Sequence, residues 1–229
     1  MDVSWRDQND PLSKIRTAIA RSRPDERGCH LKPLAELHVA GRGKPGVYDG
    51  ILYAETVLPL LGGASLFERM AFADIVADVG RLPGDVLAAL LGDVYLVSRP
   101  LVERARLSDG ELLGVIDRDA SESTLLVIAL RQGIGVPVTD RVTDLGTLKV
   151  HLTLAGNDGA TLSMATFDRF SNLTRAQNDM DLALARRSDL PISIAKALHQ
   201  RLSERAARRV EEMMVRDRNR ARRALALGR

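Results

Sequence analysis

The sequence is poor in cysteine and in aromatic residues, and both shortages restrict the class of protein. A single cysteine, Cys29, excludes a disulfide framework within the chain and is compatible with a reducing compartment. Aromatic residues make up only 3% of the 229 residues, so leucine, valine, isoleucine and alanine must fill the core. Such a core fits closely packed helices better than a β-sandwich, which favours aromatic and β-branched residues.

The chain also lacks a long hydrophobic run. Its longest, residues 124–130, falls far short of the ~20 residues that a membrane-spanning helix needs. The opening stretch MDVSWRDQNDPL has no charged segment followed by an apolar one, which is the pattern of a secretory signal. We therefore expect a cytoplasmic protein with no transmembrane segment. The length suits one large domain or two small ones.

Motifs for nucleophilic catalysis, phosphate binding and metal binding are missing as well. There is no G-x-S-x-G motif, and the glycine-rich segment 41–46 lacks the spacing of a phosphate-binding loop. Cys29, His30 and His38 lie close together in the sequence. A structural zinc site normally has four ligands, however, and the chain has no second cysteine. We predict no metal site and no cofactor.

Two groups of carboxylates are the remaining candidates for acid–base catalysis. Asp117, Asp119 and Glu122 lie between two helical runs, and Asp140 and Asp144 are one helical turn apart. Because acidic residues are favoured at helix N-termini, polar helix ends explain both groups more simply than catalysis does. The sequence therefore predicts a protein that is not an enzyme and has no catalytic residue.

Helical periodicity is the main positive signal. Apolar residues recur every three or four positions through most of the chain, and two capping boxes mark helix starts, Ser65 with Glu68 and Ser108 with Glu111. Residues 147–155 are ambiguous, because their apolar and polar residues alternate as in a strand. We predict a helix there, since the neighbouring segments are helical and a lone strand would have no partner.

Three prolines suggest an internal repeat. Pro83, Pro137 and Pro191 are spaced 54 residues apart, and each stands between an apolar residue and a short helical run. With about three helices between successive prolines, the spacing predicts an all-α, HEAT-like helical repeat, an α-solenoid with decayed repeats. The alternative is an all-α bundle in which the prolines align by chance. Beyond Pro191 an apolar stripe predicts a long C-terminal helix.

These patterns predict three regions. Residues 1–46 form an irregular N-terminal extension with one or two short helices, residues 47–202 form the HEAT-like repeat domain, and residues 203–229 form a basic C-terminal helix or tail. The charge is uneven, because residues 200–229 hold ten arginines and four acidic residues, a net charge of +6, within a chain of net charge +3. A basic segment can attract nucleic acid, acidic lipid or an acidic protein surface.

Between Leu66 and about Leu202, roughly 60% of the chain, the sequence resembles an uncharacterised bacterial family, domain of unknown function 2336. The resemblance rests on FADIVADVGRLPGDVLAALLGDVYLVSRPLVERARLSDGELLGVI (72–116), VPVTDRVTDLGTLKVHLTLAGNDGATLS (136–163) and LALARRSDLPISIAKAL (182–198). Its most specific part is the pairing of VSRPLVERA with LSDGELL. The resemblance implies a HEAT-like, all-α fold and transfers no catalytic residue.

Two functions follow as expectations. The first is a non-enzymatic scaffold or regulatory protein that binds a protein partner, because stacked helix pairs create an extended binding surface. The second is nucleic-acid binding through the Arg-rich C-terminal helix. Its candidate partner-binding residues are Arg216, Arg218, Arg220, Arg222 and Arg223. The scarcity of aromatic residues counts against a single-strand binder.

Overall fold

The structure is a computed structural model that describes residues 10–41, 48–79, 82–173 and 177–204, together with Arg208 and Val215. All regular structure in these residues is helical, which confirms the all-α prediction for this part of the chain. No helix in the described ranges is both long enough and apolar enough to cross a bilayer. Two compact units, Met1–Arg131 and Gln132–Arg229, divide the chain. The boundaries predicted at residues 46 and 202 stay predictions.

Unit 1 consists of α-helices and one short 3-10 segment. The helices are α1 (Pro11–Arg21), α2 (Leu31–Gly41), α3 (Gly50–Gly63), α4 (Leu66–Val76), α5 (Gly84–Leu91), α6 (Tyr95–Arg104), α7 (Asp109–Arg118) and α8 (Glu122–Ala129), and the 3-10 segment is Pro24–His30. Their starts follow from local chemistry. The Asp10 carboxylate accepts hydrogen bonds from the first backbone N–H groups of α1, and both predicted capping boxes, at Ser65 and Ser108, are confirmed.

Alternate helices of unit 1 pack side by side. α2 contacts α4, α4 contacts α6 and α6 contacts α8, while α3 contacts α5. Ion pairs fix the direction of α4 and α6: Arg69 and Asp93 join their N-terminal ends at 2.7 Å, and Arg104 and Asp74 join their C-terminal ends at 2.6 Å. These two helices therefore run parallel.

Leucine and other aliphatic residues fill the core of unit 1, as the low aromatic content predicts. The helices from residues 1–46 take part in it, since Leu12 of α1 and Leu31, Leu34 and Ala35 of α2 are almost completely buried. Burying a leucine side chain contributes about 1.5–3 kcal/mol, so these two helices are held to the rest of the unit by ordinary hydrophobic packing.

Unit 2 repeats the alternating arrangement. Its helices are α9 (Val136–Leu145), α10 (Leu148–Ala155), α11 (Met164–Ser171), α12 (Gln177–Ala185) and α13 (192–204). α9 contacts α11, and α10 contacts α12. The helix predicted at 147–155 is confirmed as α10, because Val150 and Leu154 are buried together one turn apart. The long C-terminal helix is predicted to continue beyond residue 204, and that part of the chain lies largely outside the described residues.

The helix count between the prolines corrects one prediction. Four helices, α5 to α8, lie between Pro83 and Pro137, and four described helices, α9 to α12, lie between Pro137 and Pro191, rather than about three. The spacing of 54 residues therefore spans two helix pairs. The intermediate pairs begin at α7 and α11, which start with the serine N-caps Ser108 and Ser163 in place of a proline.

Candidate functional site

The residues predicted to bind nucleic acid, Arg216, Arg218, Arg220, Arg222 and Arg223, lie outside the described residues. Cys29, His30 and His38, which are close together in the sequence, lie within the described residues, but their side chains do not form one site. Cys29 is exposed, the Nε2 atom of His30 lies 2.7 Å from the Ser22 hydroxyl, and His38 is buried elsewhere. Nowhere in the described ranges do three or more His, Cys, Asp or Glu side chains form a metal-binding group.

His38 belongs to a buried aromatic cluster that links three segments. Its Nε2 atom lies 3.2 Å from the Val79 carbonyl, which can only accept, so Nε2 carries the proton and Nδ1 accepts from the Tyr48 hydroxyl at 2.5 Å. The Tyr53 ring stacks on Tyr48 at 4.5 Å between ring centres. Burial lowers the pKa of His38. Both ring nitrogens are occupied, so this histidine is structural in the state observed.

The predicted carboxylate groups also serve the helix packing. Asp140 accepts hydrogen bonds from the hydroxyls of Ser163 and Thr166 at 2.7 and 2.8 Å, and so joins α9 to the start of α11. Asp119 accepts a hydrogen bond from Thr124 at 2.5 Å at the start of α8, and that bond holds the pKa of Asp119 below its usual value. These contacts are those expected of polar helix ends.

Two arginines that bind backbone carbonyls, the half-buried Arg131 and the buried Arg187, were not identified from the sequence. The Arg131 guanidinium, beyond the end of α8, donates to the backbone carbonyls of Val102 and Ala105. The Arg187 guanidinium, beyond the end of α12, donates to the carbonyls of Asn157 and Ala160. Each arginine therefore satisfies carbonyls at or beyond the end of the helix two positions earlier. An arginine shortly after a helix end is the sequence signal, but it also describes many solvated arginines.

Related contacts occur at two more helix ends in unit 1. Arg104 of α6 donates to the Asp74 carbonyl in the last turn of α4, and Arg118 of α7 donates to the Leu91 carbonyl that ends α5, both at 3.0 Å. Across all four arginines, donor and acceptor are 26 to 30 residues apart. This separation matches one helix pair, so the arginines link successive pairs within each unit.

Two clefts lie in unit 1 and differ in the state of their charged groups. The smaller, about 240 Å³, lies between the N-terminal ends of α6 and α8 and is lined by Asp93, Arg118 and Asp119. Each of these three side chains has an intramolecular partner. The larger, about 430 Å³, lies between α1, the 3-10 segment and α3. The smaller cleft is thus a satisfied polar network, and the larger one is the better candidate for a ligand.

Large apolar side chains are exposed at matching positions on α4 and α6. Phe67 and Leu96 are the second residues of these parallel helices, and they are 83% and 51% exposed. Leu66 and Val94, at the same ends, are also exposed. Single exposed apolar residues are common on protein surfaces, but several at one end of adjacent helices make this end a candidate interaction surface. The four residues are called the α4–α6 apolar end below.

Comparison with protein families identifies the relatives of this scaffold. The model of the family described as an uncharacterised protein conserved in bacteria, DUF2336, matches residues 97–229, more than half of the chain. The chain belongs to the DUF2336 family. This confirms the resemblance, although the match starts later than predicted and runs to residue 229. The chain has no match among curated proteins or solved structures.

Some of the features described above lie inside the DUF2336 match, and others lie before it. Arg131 and Arg187 lie inside it together with the carbonyls that they bind, so these contacts belong to the family region. The larger cleft and all four residues of the α4–α6 apolar end lie before residue 97. The candidate binding features therefore concentrate in the segment that precedes the family match.

Proposed function

We propose that this DUF2336 protein is a non-enzymatic, HEAT-like helical-repeat scaffold that binds a protein partner. The repeat interpretation is supported by the packing of alternate helices within each unit and by arginine contacts that span 26 to 30 residues. That separation is the length of a two-helix repeat, and stacked helix pairs offer long surfaces for protein partners. The single cysteine supports a reducing, cytoplasmic location.

The α4–α6 apolar end carries the proposal of protein binding. Phe67 and Leu96 occupy equivalent positions on parallel neighbouring helices and are largely exposed. Covering such a side chain contributes roughly 1.5–3 kcal/mol. Aromatic residues are also enriched among the residues that dominate binding energy at protein interfaces. Phe67, one of four phenylalanines in the chain, is therefore the side chain whose exposure a partner would best relieve.

The test compares substitutions in the α4–α6 apolar end with a substitution at another exposed apolar position of the same unit. The full chain, the double variant Phe67→Ser/Leu96→Ser and the control Ile51→Ser are each used to capture proteins from native lysate, with cross-linking and quantitative mass spectrometry. Ile51 is the second residue of α3 and is 74% exposed, so it matches Phe67 in position and exposure but lies on a helix outside the α4–α6 contact.

We expect one protein to be enriched in near-stoichiometric amount by the wild type and by Ile51→Ser, and to be lost from the double variant. All substituted side chains are exposed, so the melting temperature should change little. Equal recovery of that protein by the double variant, or no enriched protein at all, would contradict the proposal.

Nucleic-acid binding through the basic tail is the second candidate, and the net charge of +6 in residues 200–229 favours it. Contacts from all five arginines at positions 216–223 would give a slope of about −4 for log K against log salt concentration. Replacing these five arginines with glutamine should abolish binding of a fluorescent duplex or single strand in a polarisation titration. Binding that persists in this variant would refute the candidate.

A further inference from the structure

The cleft between α1, the 3-10 segment and α3 is lined by both apolar and charged residues. Ile19 of α1, Pro24 of the 3-10 segment and Pro59 and Leu60 of α3 supply apolar surface. Its volume of about 430 Å³ lies within the range of ligand-binding clefts and could hold several side chains of a peptide.

The charged residues that line the cleft are mainly basic. Arg16 of α1 and Arg27 of the 3-10 segment are basic, and Glu55 of α3 is acidic. Within the described ranges none of the three forms an ion pair or a side-chain hydrogen bond. This distinguishes them from the charged groups of the smaller cleft, which are all paired.

Further basic residues surround the cleft on α1 and the 3-10 segment. Residues 11–30, which contain α1 and the 3-10 segment, hold five basic and two acidic residues. Arg21 and Arg23 on the same elements are exposed but do not line the cleft. An occupant therefore meets apolar side chains and two basic residues, Arg16 and Arg27, against one acidic residue, Glu55, and this lining is complementary to an acidic, apolar segment.

We propose that this cleft binds a short segment of a partner protein in which acidic side chains stand next to aliphatic ones. The aliphatic side chains pack against Ile19 and Leu60, and the carboxylates pair with Arg16 and Arg27. The inference rests on the proposed function, protein binding, but uses residues other than the four of the α4–α6 apolar end, although the cleft-lining Gly28 lies against Glu68 of α4. The two proposals can therefore fail independently.

The experiment selects a random dodecapeptide phage library on the immobilised full chain, then measures binding of enriched peptides by fluorescence polarisation. We expect the enriched peptides to carry Asp or Glu beside Leu, Ile or Val. Charge reversal in Arg16→Glu/Arg27→Glu should weaken binding about tenfold or more, because two attractive pairs become repulsive. The matched control Arg21→Glu/Arg23→Glu should weaken it by less than about threefold.

Several outcomes would overturn the inference. These are a library without enrichment, enriched peptides without acidic residues, and equal effects of the two double variants. Binding of phosphatidylserine vesicles in place of peptides, lost with Arg16 and Arg27, would assign the cleft to a lipid surface, and a dimer dissociated by the same variant would assign it to a second copy. Peptides that bind while Phe67→Ser/Leu96→Ser still captures the partner would refute the proposed surface and leave this inference standing.

Discussion

Replacing Arg187 with methionine tests whether the arginines that bind carbonyls at neighbouring helix ends hold the helix pairs together. The Arg187 side chain is 1% exposed, its guanidinium donates to the carbonyls of Asn157 and Ala160, and it forms two 2.8 Å contacts with Asp189. Methionine is unbranched and flexible, so it fills much of the space of the arginine stem while removing all five donors. The substitution therefore isolates the loss of hydrogen bonds from the loss of volume.

The expected loss of unfolding free energy follows from the two carbonyls that lose the Arg187 donor. The Asn157 carbonyl still accepts a hydrogen bond from the Ala160 backbone N–H at 3.2 Å, so it loses one donor and keeps another. The Ala160 carbonyl, in a residue that is 2% exposed, loses the bond from Arg187. One buried unsatisfied carbonyl costs about 2 kcal/mol and one weakened carbonyl about 1 kcal/mol. Asp189 is 42% exposed, so its ion pair adds under ~1 kcal/mol. We expect a loss of about 3 kcal/mol.

Urea unfolding followed by circular dichroism measures the total effect, and hydrogen exchange of peptides from α10 to α12 assigns it to unit 2. A loss of about 3 kcal/mol corresponds to exchange roughly a hundredfold faster where exchange proceeds through opening of the unit. Arg186→Met is the matched control, because Arg186 is exposed and adjacent, and should cost under ~0.5 kcal/mol. Arg187→Lys, which can reach one carbonyl at most, should fall between them. Equal stability of Arg187→Met and Arg186→Met would refute the reasoning.

Three further predictions concern stability and can be measured by the same urea titration. Arg131→Met should destabilise unit 1 by about 2 kcal/mol, less than Arg187→Met, because the buried Val102 loses a donor to its carbonyl while Arg131 and Ala105 are only half-buried; a loss below ~0.5 kcal/mol would contradict it. Ser108→Ala should cost about 1 kcal/mol by removing the capping box of α7, whereas Ser108→Asp should keep most of that stability. Burial lowers the pKa of His38 and His151, so the unfolded chain binds protons more readily near pH 6.5 and stability should fall from pH 7.5 to 5.5. His38→Gln should reduce this pH dependence, and an unchanged dependence in both His38→Gln and His151→Asn would exclude these histidines as its source.

Helix starts were predictable because their chemistry is local. Ser65 and Ser108 each satisfy N–H groups three residues away, so a four-residue pattern contains the whole interaction. The number of helices between the prolines was harder to predict. An N-terminal proline and a serine cap are two ways to deal with the same unsatisfied N–H groups, and a pattern based on Pro83 and Pro137 detects only every second helix pair.

The candidate binding features depend on contacts that a sequence does not reveal. Phe67 lies off the i, i+3, i+4 spacing of the buried Phe72 and Val76, so the spacing places it away from the core, but only the packing of α4 beside α6 brings Leu96 to the same end. Arg16 and Arg27 are two of the 33 basic residues, and what distinguishes them is a position beside the same cleft without an acidic partner among the described residues. Burial and pairing, which are tertiary properties, decide both cases.

Arg131 and Arg187 make equivalent contacts although they do not fall in register with the prolines. Aligning the prolines 54 residues apart places Arg131 opposite Ala185, whereas the backbone bonds Arg131 N to Ile128 O and Arg187 N to Leu184 O make the two arginines equivalent at a separation of 56. Each arginine bridges two carbonyls that are three residues apart. A helix that ends beside a packed neighbour leaves carbonyls that need donors wherever the loops lengthen or shorten. The requirement therefore belongs to the packed helix ends, and an arginine reaching from the neighbouring helix meets it even where the loop sequences no longer align.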